Sequence, residues 1–194
     1  MGEYPPEVLH RQLGTPEQNA TSLVREPLNG WRPVVLEDYD PAWAARFGTV
    51  AAELRGILGD RIAGLEHVGS TSVPGLAAKP IIDIDLTVVS SDDEPAYLPD
   101  LERAGWILIL REPWWFGHRM LIDPAEDFHL HVWPVGAAEP IRHRVLRDWM
   151  RTHPEDRDLY TDTKRRLARE LGDDGYGMAK CTVIDEILAR AFAS

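Results

Sequence analysis

A single cysteine, Cys181, serves all 194 residues, so no disulfide can close within the chain, and a reducing compartment suits this usage. No catalytic motif surrounds it, and it reads as a small buried residue rather than a nucleophile. Long hydrophobic runs are missing too, and a membrane-spanning helix needs about twenty apolar residues in succession. The stretch from Met1 to Glu17 is polar and acidic, without a basic segment leading into an apolar one, so a cytoplasmic protein without a secretory leader is expected. Positive charge is scarce: 21 Lys and Arg face 32 Asp and Glu, a net charge of −11. Duplex-binding surfaces have the opposite balance, and no nucleic-acid partner is expected. The one basic stretch, Arg142 to Arg151, contains Asp148 and runs on to Glu155 and Asp156, the pattern of a solvated helix face. Neither the G-x-x-x-x-G-K-[ST] loop nor the G-x-G-x-x-G fingerprint is present.

What remains is an ordinary globular composition, 44% apolar and 27% charged, in a chain long enough for one sizeable core. Residues 1–30 read as an irregular N-terminal arm, broken by Pro5, Pro6, Gly14, Pro16 and Pro27, with one or two helical turns between Pro6 and Gln12. Residues 31–194 read as one domain. Arg32 to Leu36 predicts a first strand. A helix follows Asp40 and Pro41, with Trp43, Phe47, Val50, Leu54 and Leu58 on one face and Gly59 as its stop. Leu65 to Val68, Ile81 to Val89, Trp106 to Leu110, Arg119 to Ile122 and Phe128 to Trp133 predict strands, with a Ser91-capped helix over Ser91 to Ala104. From Glu139 the pattern is helical, with breaks at His153 and Gly172 and a last helix over Tyr176 to Phe192. The fold class is α+β: a mixed α/β sheet followed by C-terminal helices.

Two aspartates interrupt the apolar run Ile81 to Val89. Asp83 and Asp85 are two apart on a strand, so they leave the same face, opposite Ile82, Ile84 and Leu86. Two adjacent carboxylates repel unless a cation lies between them. All-oxygen ligation points to Mg2+ or Mn2+, ions that accompany phosphate substrates. The strand is preceded by Gly69-Ser70-Thr71-Ser72, a turn whose backbone and hydroxyls suit a phosphate chain, and by Lys79, which supplies a cation close by.

A Gly-Ser turn followed by an apolar strand bearing Asp-x-Asp resembles the signature of the nucleotidyltransferase superfamily. More narrowly, His67-Val-Gly-Ser-Thr-Ser-Val-Pro-Gly-Leu-Ala-Ala-Lys-Pro-Ile-Ile-Asp83 resembles the GrpB family of bacterial proteins. Asp40-Pro-Ala-Trp43, His129-Leu-His131-Val, and Tyr160 with Lys164 and Lys180 extend the resemblance over roughly Val34 to Ala191. It implies a nucleotidyltransferase-like core, sometimes fused to an enzyme of coenzyme A synthesis. It also lifts Lys164 and Lys180, otherwise unremarkable helix lysines, to nucleotide-binding candidates. Tyr160 and Lys164 lie one helical turn apart and face one cleft. Where the superfamily usually places a third carboxylate, this pattern has a histidine, His131.

Asp127, His129, His131 and Trp133 share one strand face. A histidine beside Asp83 and Asp85 completes a metal site or takes a proton from an acceptor. Arg119 is a candidate for offsetting phosphate charge. Trp114-Trp115-Phe116 reads as core, with a lid or a base-stacking platform as the alternatives. Three functions follow. The leading one is transfer of a nucleotidyl or related group from a nucleoside triphosphate to a small acceptor. Asp83, Asp85 and His131 are its catalytic and metal residues; Gly69, Ser70, Thr71, Ser72, Lys79, Arg119, Lys164 and Lys180 hold the nucleotide. The alternatives are a non-catalytic nucleotide-binding module, and a metal hydrolase built on Asp83, Asp85, His129 and His131.

Overall fold

The computed structural model describes residues 4–27, 30–172 and 175–194; residues 1–3 and 28–29 of the expected arm lie outside the described residues. The arm is more regular than its prolines suggest, with helices α1 (Pro6–Leu9) and α2 (Pro16–Ser22). Thr15 and Gln18 close a capping box on α2, each side chain accepting the other's backbone N–H. The Thr-x-x-Gln spacing is itself a helix-start signal within the proline-broken arm. Val8 of α1 is fully buried.

The long helix α3 (Ala42–Leu58) starts where Asp40 accepts the Ala42 N–H at 2.8 Å and stops at Gly59, whose φ of 55° is left-handed. Strand β1 (Gly64–Val68) leads through a 3₁₀ turn at Ser70–Ser72 to β2 (Ile82–Val88). After the short helix α4 (Leu98–Arg103) come β3 (Ile107–Glu112), β4 (His118–Ile122) and β5 (Phe128–Pro134). The C-terminal helices are α5 (Ala138–Thr152), α6 (Pro154–Leu171), α7 (Tyr176–Ala179) and α8 (Cys181–Ala193).

The sheet order is β1-β2-β5-β4-β3, with β2 and β5 parallel and the other neighbours antiparallel. β2 is therefore internal, as its apolar run requires, and its aspartates do not sit on an edge. One face of the sheet is dry. Ile82, Ile84, Leu86, Leu121, Leu130 and Val132 pack there against Trp43, Leu54 and Leu58 of α3 and Leu101 of α4. Each such side chain contributes about 1.5–3 kcal/mol on burial. The other face is covered by α5, α6 and α8 around Val73, Leu76, Met150, Tyr160, Val183 and Ile187.

Four expectations fail for physical reasons. Arg32 to Leu36 is not a strand: Pro33 has no N–H to donate, Val35 is exposed, and an isolated bridge forms at the next residue, between Glu37 and Ala78. Ser91 to Ala104 holds just a 3₁₀ turn and α4, because the Ser91 hydroxyl donates to the Gly117 carbonyl at 2.5 Å instead of capping a helix. The last helix breaks at Lys180 into α7 and α8. The Arg142 to Arg151 stretch is not a solvated face. Arg142 is buried and donates to the Val8 carbonyl, Arg147 reaches Glu66 and the His67 carbonyl, and Arg151 donates to the Ser72 carbonyl. These arginines fasten α5 to the arm, to β1 and to the Gly-Ser turn.

Candidate functional site

Parallel register sets His129 beside Asp83 and His131 beside Asp85, and the antiparallel pair places Met120 beside His131. With period-two alternation, Asp83, Asp85, His118, His129, His131 and Trp133 share the face under α5, α6 and α8. The two aspartates behave differently. Asp85 is 1% exposed; its Oδ1 accepts the Trp133 indole N–H at 2.9 Å, and its Oδ2 lies 2.8 Å from His143 Nδ1. Burial pushes the Asp85 carboxyl up, but His143 holds it below its ordinary range. Burial likewise opposes charge on His143, and Asp85 overcomes this, raising the imidazole to about 9. They form an ion pair at neutral pH. Asp83 stands forward of them, its Oδ1 3.7 Å from His129 Nδ1 and 3.6 Å from His131 Nε2. Burial would raise Asp83; His131, His129 and Lys180 together bring it to about 2.

The Gly-Ser turn divides into a working half and a structural half. Gly69 has φ of 66°, and a Cβ there would collide with the Asp83 carboxylate, so the turn needs glycine twice over. Ser70 lines the cleft and its Oγ accepts from Lys164 Nζ at 2.9 Å. Thr71 and Ser72 are buried. Thr71 Oγ1 lies 3.0 Å from His67 Nε2, and the Ser72 hydroxyl donates to the Gly69 carbonyl at 2.6 Å. His67 itself stacks on Phe47, and burial pushes it down to about 4, so it is neutral. The Thr71 and Ser72 hydroxyls shape the turn and do not reach the cleft.

That cleft has two lobes meeting at Asp83, His129, Ser70 and Lys180. The narrow lobe, about 120 Å³, adds Lys79, Lys164 and Tyr176 to its walls. The wide lobe, about 350 Å³, is walled by Trp115, Leu146, Met150 and Ile184, with Arg11 and Arg147 among its polar residues. Lys164 is 2% exposed, donates to Ser70 and to the Ala77 carbonyl, and lies 4.4 Å from the Tyr160 ring centre. Burial, then Lys180, lowers it to about 7, against the pull of Asp83. Tyr160 and Lys164 do face one cleft, as their helical spacing predicts.

Of the predicted residues, Gly69, Ser70, Lys79, Asp83, His131, Lys164 and Lys180 come together. Asp85 lies beneath them as a buried support. Arg119 does not join them. It pairs with Val132 in the sheet, so it leaves the opposite face, where Asp92 and Glu94 accept its N–H groups at 2.8 and 3.0 Å. Cys181 is half-buried on the wide lobe rather than in the core. Trp115 also lines that lobe, edge-on to Trp133. Sequence reasoning missed His118 and Glu112. Glu112 Oε2 lies 2.7 Å from His118 Nδ1, and His118 Nε2 lies 3.0 Å from His131 Nδ1. It also missed His143, Glu126, Arg11 and Arg147. Only strand register and helix docking bring these six to the site.

Comparison with known proteins agrees with this architecture. The family described as GrpB protein matches residues 33–190. A UPF0157 protein of Halalkalibacterium halodurans is 46% identical over 163 residues, 83% of this chain and 84% of that one. Another from Streptomyces coelicolor is 42% identical over 161 residues, covering 82% and 84%. A protein named dephospho-CoA kinase in Mycolicibacterium paratuberculosis is 38% identical over 168 residues, which span 73% of this chain and 41% of that protein. Among solved structures, the conserved protein GrpB from Enterococcus faecalis superposes with a TM-score of 0.71 at 31% identity, covering 82% of this chain and 98% of that one. With its mixed sheet and C-terminal helices, this chain belongs to the GrpB family.

Proposed function

We propose that this chain binds a phosphorylated small molecule, nucleoside triphosphates being the first candidates, and transfers a nucleotidyl or phosphoryl group from it to a small acceptor. The observation that carries this reading is the narrow lobe, where Ser70, Lys79, Lys164 and Lys180 gather beside Asp83. In a protein of net charge −11, such a pocket attracts a small anion while the bulk of the surface repels a polyanion. The wide lobe suits the body of the ligand, with Trp115, Leu146 and Ile184 offering apolar area and Arg147 a polar margin. A nucleotide lying across both lobes would set its phosphorus beside Asp83 and His129. The lysines would offset charge developing on the phosphoryl oxygens and on the departing pyrophosphate or nucleoside diphosphate. The Gly-Ser turn before an Asp-bearing strand supports the same reading through its resemblance to the nucleotidyltransferase superfamily. So does the dephospho-CoA kinase name of one relative, a nucleotide-linked activity, although the match spans 41% of that protein.

Calorimetric titration of the four ribonucleoside triphosphates tests the reading. It expects micromolar binding, weakened roughly tenfold or more in Lys180→Ala by loss of a charge-assisted contact. Absence of binding by every triphosphate sinks it. A second reading is favoured by the two imidazoles facing Asp83: water is the acceptor, and the enzyme hydrolyses a phosphate ester. Turnover of an aryl phosphate with no other acceptor present would select it.

A further inference from the structure

The magnesium centre expected on Asp83, Asp85 and His131 does not fit this arrangement. Both Asp85 oxygens are engaged, one by Trp133 and one by His143, in a residue that is almost wholly buried. One carboxylate is left, and the donors turned toward it are imidazole nitrogens. Magnesium demands near-octahedral oxygen ligation, whereas imidazole suits zinc and iron(II).

We infer that Asp83, His129 and His131 form a binding site for a transition ion of the zinc and iron(II) class. One donor atom from each lies within 4.8 Å of the other two. The 3.6 and 3.7 Å gaps from Asp83 Oδ1 to the two imidazoles are too long for hydrogen bonds. They are close to the roughly 3.4 Å that separates ligand atoms around a tetrahedral ion with bonds of about 2.0–2.1 Å. Three protein ligands leave a fourth position toward the cleft, the arrangement of catalytic rather than structural sites.

The second nitrogens carry the independent observation. A metal-bound histidine typically turns its other nitrogen to a carboxylate or to another acceptor. His129 Nε2 lies 3.7 Å from Glu126 Oε1, and both atoms are buried without a hydrogen-bond partner among the described residues. His129 thus sits between two carboxylates and bonds to neither, a strained position for a histidine in an ion-free site. An ion on Nδ1 fixes the tautomer with its proton on Nε2, aimed at Glu126. His131 is backed in its turn by His118 and Glu112.

The inference rests on the proposed function only for its location, so its test leaves nucleotide out. Full-length protein stripped with chelator is titrated with Zn2+ by calorimetry and with Co2+ by visible d–d absorption. The expected result is one tightly bound ion per chain, not displaced by millimolar Mg2+. Affinity should fall roughly 100-fold or more in His129→Ala and His131→Ala, and roughly 10- to 100-fold in Glu126→Gln. Asp85→Asn should keep affinity within a few-fold. Circular dichroism checks each fold, and His→Gln replaces any alanine variant that fails to fold. Binding no tighter than millimolar, binding indifferent to both histidine variants, or displacement by Mg2+ would overturn the site. Those results would leave the phosphate reading untouched, and absence of nucleotide binding would leave the ion site untouched.

Discussion

The two faces of β2 share one backbone and carry opposite chemistry. Ile82, Ile84 and Leu86 pack with Leu130 and Val132 into a dry layer under α3 and α4. Their alternate neighbours Asp83 and Asp85 meet His129, His131 and Trp133 under α5, α6 and α8. The dry face is fixed by many interchangeable contacts, each of modest size. The polar face is fixed by a few directional ones, each needing a particular partner. Arg119 shows how strict the division is: one residue's displacement from His118 sends its side chain to the other face, away from the cleft. Core packing and the candidate site are thus interleaved at single-residue spacing, and substitutions on the two faces should have different signatures.

The largest effect on stability belongs to the dry face. Leu130→Ala, at a fully buried position, should lower unfolding free energy by roughly 2–5 kcal/mol in denaturant titration while folded molecules keep their ligand affinity. On the polar face, His143→Leu leaves Asp85 buried with only Trp133 as partner, and should lose roughly 3 kcal/mol. If that substitution proves neutral, Asp85 is not the buried ionic support described above.

Lys164 gives a pH signature. Its folded value is about 7 against an ordinary 10.5, so between those limits the unfolded chain binds a proton that the folded chain does not. Stability from this group therefore climbs as pH rises from about 7 to 10.5 and is flat below 7. The slope approaches roughly 1 kcal/mol per pH unit in mid-window. Denaturation from pH 7 to 10 should show that climb in the wild type relative to Lys164→Met; identical slopes would contradict the burial of a lysine whose charge is disfavoured. An anion bound in the narrow lobe should reprotonate Lys164, so binding at pH 8 should take up a proton, seen as buffer-dependent heats. The smallest effect is expected of Arg119→Ala, which removes two ion pairs on the other face, one of them to the exposed Asp92. It should cost about 1 kcal/mol of stability and leave ligand binding unchanged.

The five strands of the sheet and the main helices were legible, although Arg32 to Leu36 was not a strand, because their signals are local: the alternation in β2, the stripe on α3 and the glycine stop at Gly59. So was the meeting of Gly69, Ser70 and Asp83 in one cleft, since they lie close in sequence around one turn. What was not legible depends on register and docking. Nothing local reveals that the indole of Trp133 and the imidazole of His143 would occupy Asp85, or that His118 would stand behind His131. Hydroxyls in a Ser/Thr-rich turn look alike in sequence. Only the fold turns Ser70 outward and Thr71 inward to His67. The arginines of α5 misled for the same reason, since their partners are backbone carbonyls of distant segments.

One cleft joins the lysine-lined narrow lobe to the Asp83, His129 and His131 cluster. A crystal of the full chain soaked with Zn2+ and a non-hydrolysable nucleotide, recorded at the zinc edge, tests it most directly. One anomalous peak among Asp83 Oδ1, His129 Nδ1 and His131 Nε2, with phosphate density against Lys79, Lys164 and Lys180, is the predicted result. A peak bridging Asp83 and Asp85, or phosphate bound away from the lysines, would contradict it.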